Sequence, residues 1–195
     1  MSDALILGFD TSAAHCAAAL LCGGRVIASR AEPMTRGQAE RLMPLLEEVL
    51  AEGGARWSDL ARIGVGVGPG NFTGIRIGVS AARGLALALD IPAIGVTTFQ
   101  AIRAQGAAGR LPAVPAPRDH VYVEAPDGTQ RLMPVAEAEQ GQGLALPPEA
   151  DALARRIAEV AAKAAPGAPP APLYIKAADA APARDVPPVI LDERA

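Results

Sequence analysis

The sequence predicts an α/β fold in which a mixed sheet is flanked by helices. The main observation is order along the chain: three apolar segments joined by short turns come first, and two helical segments then alternate with two more strands. Hairpin-linked strands pair antiparallel, whereas strands joined through a helix pair parallel, so one sheet is expected to contain both kinds of pairing. The composition agrees, because 50% hydrophobic and 20% charged residues with a net charge of −3 exclude wholesale disorder.

The first three elements are predicted to be strands. Residues 4–10 and 16–21 are apolar segments of strand length, and a third segment covers residues 25–30. Gly23 and Gly24 lie between the second and third segments, where a pair of glycines favours a tight hairpin turn. The three strands are therefore expected to form an antiparallel meander.

Two helices and two strands complete the first half of the chain. Apolar residues recur at helical spacing in both helices; the first helix ends at a pair of glycines, and the second ends before a proline. The predicted bounds are residues 38–52 and 73–89 for the helices, and residues 63–67 and 94–97 for the strands.

The second half of the chain differs because it holds 14 of the 18 prolines. We predict short strands at 111–114, 121–125 and 129–133, a helix over 149–164 and a stiff connector over 166–172. The sequence thus predicts three units, which are an amino-terminal domain over residues 1–99, a smaller, degenerate second domain over 100–176 and a proline-rich tail over 177–195.

Composition also predicts the setting in which the chain works. No apolar stretch approaches the roughly 18 uncharged residues of a membrane span, and Asp3 and Asp10 occupy the region where a secretory signal would be basic. Basic residues form no run and aromatic residues are 3% of the chain, so independent binding of nucleic acid is not expected. Cys16 and Cys22 are too few for a disulfide framework. We expect a soluble, cytoplasmic protein that does not bind membranes.

Both predicted helices of the first half carry more apolar surface than one core can cover. At about 100° per residue, helix 73–89 places Arg76, Ser80 and Arg83 on one narrow stripe, and its other residues are apolar or glycine. One side would pack on the sheet and the other on a partner helix. The alternative is that both helices are buried within the chain itself. The predicted partner interface consists of Leu42, Met43, Leu46, Leu50, Gly74, Ile75, Gly78, Val79, Ala82 and Ala86.

A glycine-rich loop, residues 68–78, joins a predicted strand to a predicted helix. Such a junction can hold an anion on backbone N–H groups. However, the loop lacks the lysine of a P-loop, and its glycine spacing misses the dinucleotide fingerprint by one residue. A tight turn with Asn71 or Thr73 capping the helix is the favoured interpretation.

Asp10 is the best single candidate for polar chemistry, because it leaves the first strand together with two hydroxyl residues. Its alternative role is that of a turn-forming aspartate between hairpin strands. If a remnant nucleotide or anion site exists, its residues are Asp10, Thr11, Ser12, Gly70, Asn71 and Thr73.

Catalytic residues and metal ligands are not expected from this sequence, and no cofactor is expected. His15 and His120 are far apart and have no partner at helical spacing. His15 and Cys16 are adjacent on a predicted strand, so their side chains point to opposite faces and do not form a nucleophile pair. The serines show no nucleophile elbow.

Several of these segments resemble the TsaB (YeaZ) family of bacterial proteins required for threonylcarbamoyladenosine synthesis in tRNA. The element over residues 68–78, with the sequence GPGNFTGIRIG, carries most of the resemblance because it is far more specific than a single glycine motif. The other matching segments are residues 7–12, 38–44, 84–86 and 94–96.

The resemblance implies an actin-like, sugar-kinase and Hsp70-type (ASKHA) fold that has lost its own active site. It implies a non-catalytic subunit that dimerises with and activates a TsaD-like catalytic paralogue, which modifies adenosine 37 of tRNA. It further implies contact through the two helices of the amino-terminal domain, a TsaE-like ATPase in a larger complex, self-association as a homodimer and only indirect contact with tRNA.

Departures from the family pattern keep a second hypothesis open. Gln38 stands where relatives commonly have histidine, and residues 115–118 match the family poorly, which together with the chain's length suggests a trimmed second domain. The competing hypothesis is a nucleotide-binding enzyme that uses Asp10 and the loop over residues 68–74 to hold metal-bound phosphate. A peptidase, an older interpretation of the family, needs metal ligands or a nucleophile that the sequence does not offer.

Overall fold

The computed structural model describes residues 4–107, 109–141 and 143–175. The predicted tail over residues 177–195 lies outside the described residues.

Five strands of the first half form one mixed sheet. They are β1 Leu5–Asp10, β2 His15–Cys22, β3 Arg25–Pro33, β4 Leu60–Gly66 and β5 Ala93–Val96. Their order across the sheet is β3-β2-β1-β4-β5. The first three strands pair antiparallel, while β4 lies parallel to β1 and β5 lies parallel to β4. The predicted meander and the predicted mixed sheet are both confirmed.

Two long helices cover one face of this sheet. Helix α1 runs over Gln38–Glu52, the predicted bounds, and helix α2 over Phe72–Leu89, one residue longer than predicted. Side chains alternate along β1, so Leu7 and Phe9 pack against these helices in the larger core cluster. A short helix, α3 Thr98–Ala104, follows β5 and was not predicted. Its signal was a capping box, in which Thr97 and Gln100 each accept a hydrogen bond from the other's backbone N–H.

A second, smaller sheet follows in the chain. Its elements are β6 Leu111–Ala116, β7 His120–Glu124, β8 Gln130–Pro134, the four-residue helix α4 Val135–Ala138 and β9 Leu144–Ala145. The strand order is β8-β7-β6-β9, with β9 parallel to β6. The three predicted short strands are confirmed to within three residues at each end, whereas α4 and β9 are too short to leave a periodic signal.

Helix α5, Ala150–Lys163, confirms the last predicted helix but packs on the sheet of the first half. Glycines allow a very close approach: a Cβ on Gly8 would lie 2.6 Å from the Cβ of Ala158, and one on Gly64 would lie 2.8 Å from the Cβ of Ala161. The sheet is thus covered by α1 and α2 on one face and by α5 on the other. The division of the chain at residue 99 stays a prediction, since a helix beyond that point completes the sheet before it.

Helix α2 has the length and apolar composition of a membrane span, with a mean hydropathy of 1.3 over 18 residues. It contains two arginines, and five of its residues are buried against the chain's own core. Core helices of globular domains share these properties.

Candidate functional site

Asp10, at the carboxyl end of β1, lies at the centre of a buried polar cluster. Its Oδ2 atom accepts hydrogen bonds from the backbone N–H of Ser12 at 2.9 Å and from the Ser12 hydroxyl at 3.0 Å. The same oxygen lies 2.7 Å from Nε2 of His15, whose side chain is 13% exposed. His15 was expected to have no partner at helical spacing; the tight turn between β1 and β2 instead brings it to Asp10, five residues earlier in the chain.

The second carboxylate oxygen of Asp10 faces the backbone of β4. Oδ1 has no hydrogen-bond partner among the described residues, and a Cβ on Gly66 would lie 1.8 Å from it. A buried carboxylate repels anions, and this one directs its remaining lone pairs at the sheet. Asp10 therefore forms the turn that its alternative role predicted, and its Oδ2 atom is used inside the fold.

The glycine-rich loop packs against the same turn through backbone contacts. Asn71 is the helix N-cap: its side-chain oxygen accepts from the N–H of Gly74 at 2.8 Å, and its own N–H donates to the carbonyl of Ser12 at 2.6 Å. The Thr11 hydroxyl donates to the carbonyl of Gly74 at 2.7 Å. Thr73 is exposed on the helix and does not belong to this set of hydrogen bonds between the loop and the turn. The loop is thus used to pack strand against helix.

Two glycines of the loop are required by these close contacts. A Cβ on Gly70 would lie 2.2 Å from the carbonyl oxygen of Ser12, and a Cβ on Gly74 would lie 1.9 Å from that of Thr11. Both distances are far below van der Waals contact, so the backbones of the loop and of the β1–β2 turn touch directly. This geometry favours the tight-turn interpretation of the loop over a phosphate cradle.

A cleft of about 1130 Å³ opens beside the Asp10 cluster. Its walls include His15, Ser29, Tyr122 and Arg155, with six prolines among the other lining residues. The Ser12 hydroxyl donates to Asp10, and Ser29 accepts from Arg155 at 2.9 Å. Neither serine has a hydrogen bond to His15 among the described residues. Within residues 4–107, 109–141 and 143–175, no three His, Cys, Asp or Glu side chains are grouped so as to hold a metal ion.

The predicted partner interface faces mostly inward. Eight of its ten residues are buried within the chain's own core, so these side chains do not lie on the surface, and the partner interface itself stays a prediction. They are Leu42, Leu46, Leu50, Gly74, Ile75, Gly78, Val79 and Ala82. Met43 is 37% exposed, and Ala86 is half-buried.

The opposite side of the two helices is accessible and largely apolar. Leu87 is 86% exposed, and nothing lies within 4 Å of a Cβ placed on Gly84. A shallow groove of about 410 Å³ runs between the helices beside Met43 and Ile77. We call this surface the outer α1–α2 face; it comprises Ala39, Met43, Thr73, Arg76, Ile77, Ser80, Ala81, Gly84, Leu87 and Ala88.

Charged groups hold α1 in place at the edge of the sheet. Arg41 pairs with Glu32 on β3 at 2.6 Å and with Glu48 on its own helix at 2.7 Å. The hydrogen bonds from Arg41 lower the pKa of both carboxyl groups below its ordinary value. Nearby, burial raises the pKa of the Cys16 thiol to about 11, so this cysteine is an unreactive core residue.

Comparisons with known proteins agree with this architecture. A family profile described as TsaD, tRNA N6-adenosine threonylcarbamoyltransferase, matches residues 26–142. The chain is 37% identical over 122 residues to the tRNA threonylcarbamoyladenosine biosynthesis protein TsaB of Escherichia coli. The matched region covers 60% of this chain and 52% of that protein. It thus spans about half the length of this relative. An uncharacterized protein of Mycobacterium tuberculosis is 32% identical over 176 residues, covering 80% of this chain and 83% of that protein.

Solved structures give the same result. YeaZ from Pseudomonas aeruginosa matches with a TM-score of 0.56 at 33% identity, covering 67% of this chain and 64% of that chain. A second structure, of an uncharacterized protein with similarity to peptidase YEAZ from Pseudomonas aeruginosa, matches with a TM-score of 0.73 at 25% identity. It covers 89% of this chain and all of that chain.

The strand order and the helices on both faces define the class, which is the actin-like, sugar-kinase and Hsp70-type fold. Within this class the chain belongs to the TsaD family, and in that family to its TsaB (YeaZ) members.

Proposed function

We propose that this chain is a non-catalytic subunit of the machinery that forms N6-threonylcarbamoyladenosine at position 37 of tRNA. It dimerises with a TsaD-like catalytic paralogue and activates it. The same surface supports a homodimer when the paralogue is absent, a TsaE-like ATPase joins the assembly, and tRNA is contacted only indirectly. The site of action is the cytoplasm.

The observation that carries this proposal is the exposed apolar side of helix α2. Leu87 is 86% exposed although the helix already buries its opposite side in the core. Nothing lies in the space that a side chain on Gly84 would occupy. Its φ angle is not positive, so the backbone conformation does not require glycine there. A glycine inside an exposed helix costs about 0.5–1 kcal/mol relative to alanine, so its presence favours a second helix approaching closely.

A matched pair of leucine substitutions tests the surface. Leu87→Glu places a charge on the outer α1–α2 face, whereas Leu146→Glu places one on a leucine that is 49% exposed beside the cleft. We expect Leu87→Glu to abolish the mixed species formed with the TsaD-like protein of the same organism, because desolvating an unpaired charge costs several kcal/mol. Light scattering after size-exclusion chromatography measures this. Normal pairing by Leu87→Glu, or equal loss in both variants, contradicts the assignment.

The competing hypothesis of a nucleotide-binding enzyme has its own test. The polar atoms of Asp10, Thr11, Ser12 and Asn71 already have partners inside the fold, apart from one carboxylate oxygen directed at β4. Calorimetric titration of the isolated chain with ATP should therefore give no tight binding. Tight binding that disappears in Asp10→Ala would favour the enzyme.

A further inference from the structure

Arg76 is held in one position by two aromatic side chains from distant parts of the chain. Its guanidinium carbon lies 3.9 Å from the centroid of the Phe72 ring, one turn back on α2, and 5.9 Å from that of the Tyr174 ring. Its Nε atom donates a hydrogen bond to the Tyr174 hydroxyl at 3.0 Å. The two rings are themselves in contact, with centroids 4.7 Å apart. An exposed arginine otherwise has many rotamers, so these contacts reduce the entropy that binding would cost.

The position of Tyr174 is fixed by its neighbour in the chain. The backbone N–H of Leu173 donates to the carbonyl of Val67 at 2.8 Å, and the Leu173 side chain packs against the two core clusters on either side of it. The segment that carries Tyr174 is therefore anchored to the end of β4, directly beside the start of α2. This anchoring places the tyrosine where it can orient Arg76.

The terminal nitrogens of Arg76 remain available. Within the described part of the chain they have no hydrogen-bond partner, and the side chain borders the groove between α1 and α2. Helix α2 contains Arg76 and Arg83 and no acidic residue. A guanidinium with a free fork of donors matches a carboxylate, which accepts two parallel hydrogen bonds.

We propose that Arg76 binds a carboxylate side chain on the helix of the partner protein that docks on the outer α1–α2 face, and that Tyr174 is its positioning residue. This inference rests on the proposed function. A protein carboxylate fits better than an RNA phosphate because the neighbours of Arg76 in the groove, among them Met43, Ile77 and Ala81, are apolar or small. Phosphate binding would instead require a cluster of basic side chains.

Calorimetric titration with the TsaD-like protein of the same organism tests the proposal. We expect Arg76→Gln to weaken binding about tenfold or more, and Arg76→Lys to weaken it less, because lysine keeps the charge but loses the fork. Arg131→Gln is the control, an exposed arginine on β8 of the second sheet and away from the outer α1–α2 face, and we expect a change of less than about threefold. Melting temperatures should be similar in all variants, since these side chains are on the surface.

A double-mutant cycle separates positioning from structure. Tyr174→Ala should weaken binding about fivefold in the normal chain and have no further effect in Arg76→Gln, because its role acts through the arginine. Equal effects in both backgrounds would overturn the positioning role. If the Arg76→Gln variant binds the paralogue as tightly as the normal chain does, the proposal is overturned while the proposed function stays intact. The same holds if Arg76→Gln weakens only the binding of tRNA. If the unaltered chain binds no paralogue, both fail.

Discussion

Two glycines on helix α2 have opposite roles. A side chain on Gly74 would collide with the carbonyl of Thr11, whereas Gly84 faces open space. We expect Gly74→Ala to lower the free energy of unfolding by about 3 kcal/mol or more. Gly84→Ala should raise it by about 0.5–1 kcal/mol through helix propensity. Urea denaturation measures both, and a stabilised Gly74→Ala would show that the contact between loop and turn is misplaced.

The pair formed by Asp10 and His15 is the second residue-level feature with a large expected effect. The Asp10 side chain is 1% exposed, so removing the imidazole leaves its carboxylate buried with less compensation. We expect His15→Ala to cost about 3 kcal/mol of stability. His120→Ala is the control, because among the described residues the hydrogen bond of that ring is to the carbonyl of Arg118 in its own turn. Similar melting temperatures for the two variants would contradict the role assigned to His15.

Helical spacing does not relate Asp10 to His15, so that pattern could not indicate this pair. Residues 10 and 15 are brought together by the strand–turn–strand geometry of β1 and β2, in which Asp10 pairs with Ala17. By contrast, Asn71 could be predicted as a helix cap, since capping depends on residues next to one another in the chain.

At the scale of elements, helix α2 shows what periodicity can and cannot predict. Its bounds follow from local signals: an asparagine cap at the start and a proline after the end. Its two apolar sides are nearly equivalent in sequence, so the pattern did not indicate which side meets the sheet. The side with Gly74 and Gly78 was predicted to meet a partner helix. In the structure this side is buried against β1 and the turn that follows β1. Close glycine contacts form with the chain's own strands as readily as with a partner.

Helix α5 depends on an arginine almost 100 residues earlier. Nη1 of Arg62, on β4, donates to the carbonyls of Ala161 and Ala164, both at 2.8 Å, at the end of the helix. The last carbonyls of a helix receive no hydrogen bond from the helix itself, so the guanidinium satisfies the last turn of α5. We expect Arg62→Ala to cost about 1–3 kcal/mol, and the exposed Arg131→Ala less than about 0.5 kcal/mol. Thermal melts that show no difference would remove Arg62 from this role.

At the scale of the whole molecule, the chain returns to its first sheet after forming the second. Helix α5 covers the face opposite α1 and α2, and Leu173 bonds to the residue that follows β4. Composition distinguished the two halves as different kinds of sequence. It did not predict that α5 belongs with the first sheet, because Gly8 and Gly64 match Ala158 and Ala161 only in three dimensions. The outer α1–α2 face is left free of these internal contacts.

The measurement that tests the central claim most directly is amide hydrogen exchange of this chain with and without its TsaD-like paralogue. If the outer α1–α2 face is the docking surface, the paralogue should slow exchange along α2 and α1. It should leave β6, β7 and β8 of the second sheet unchanged. Protection confined to the second sheet or to the cleft beside Asp10, with both helices unaffected, would contradict the account.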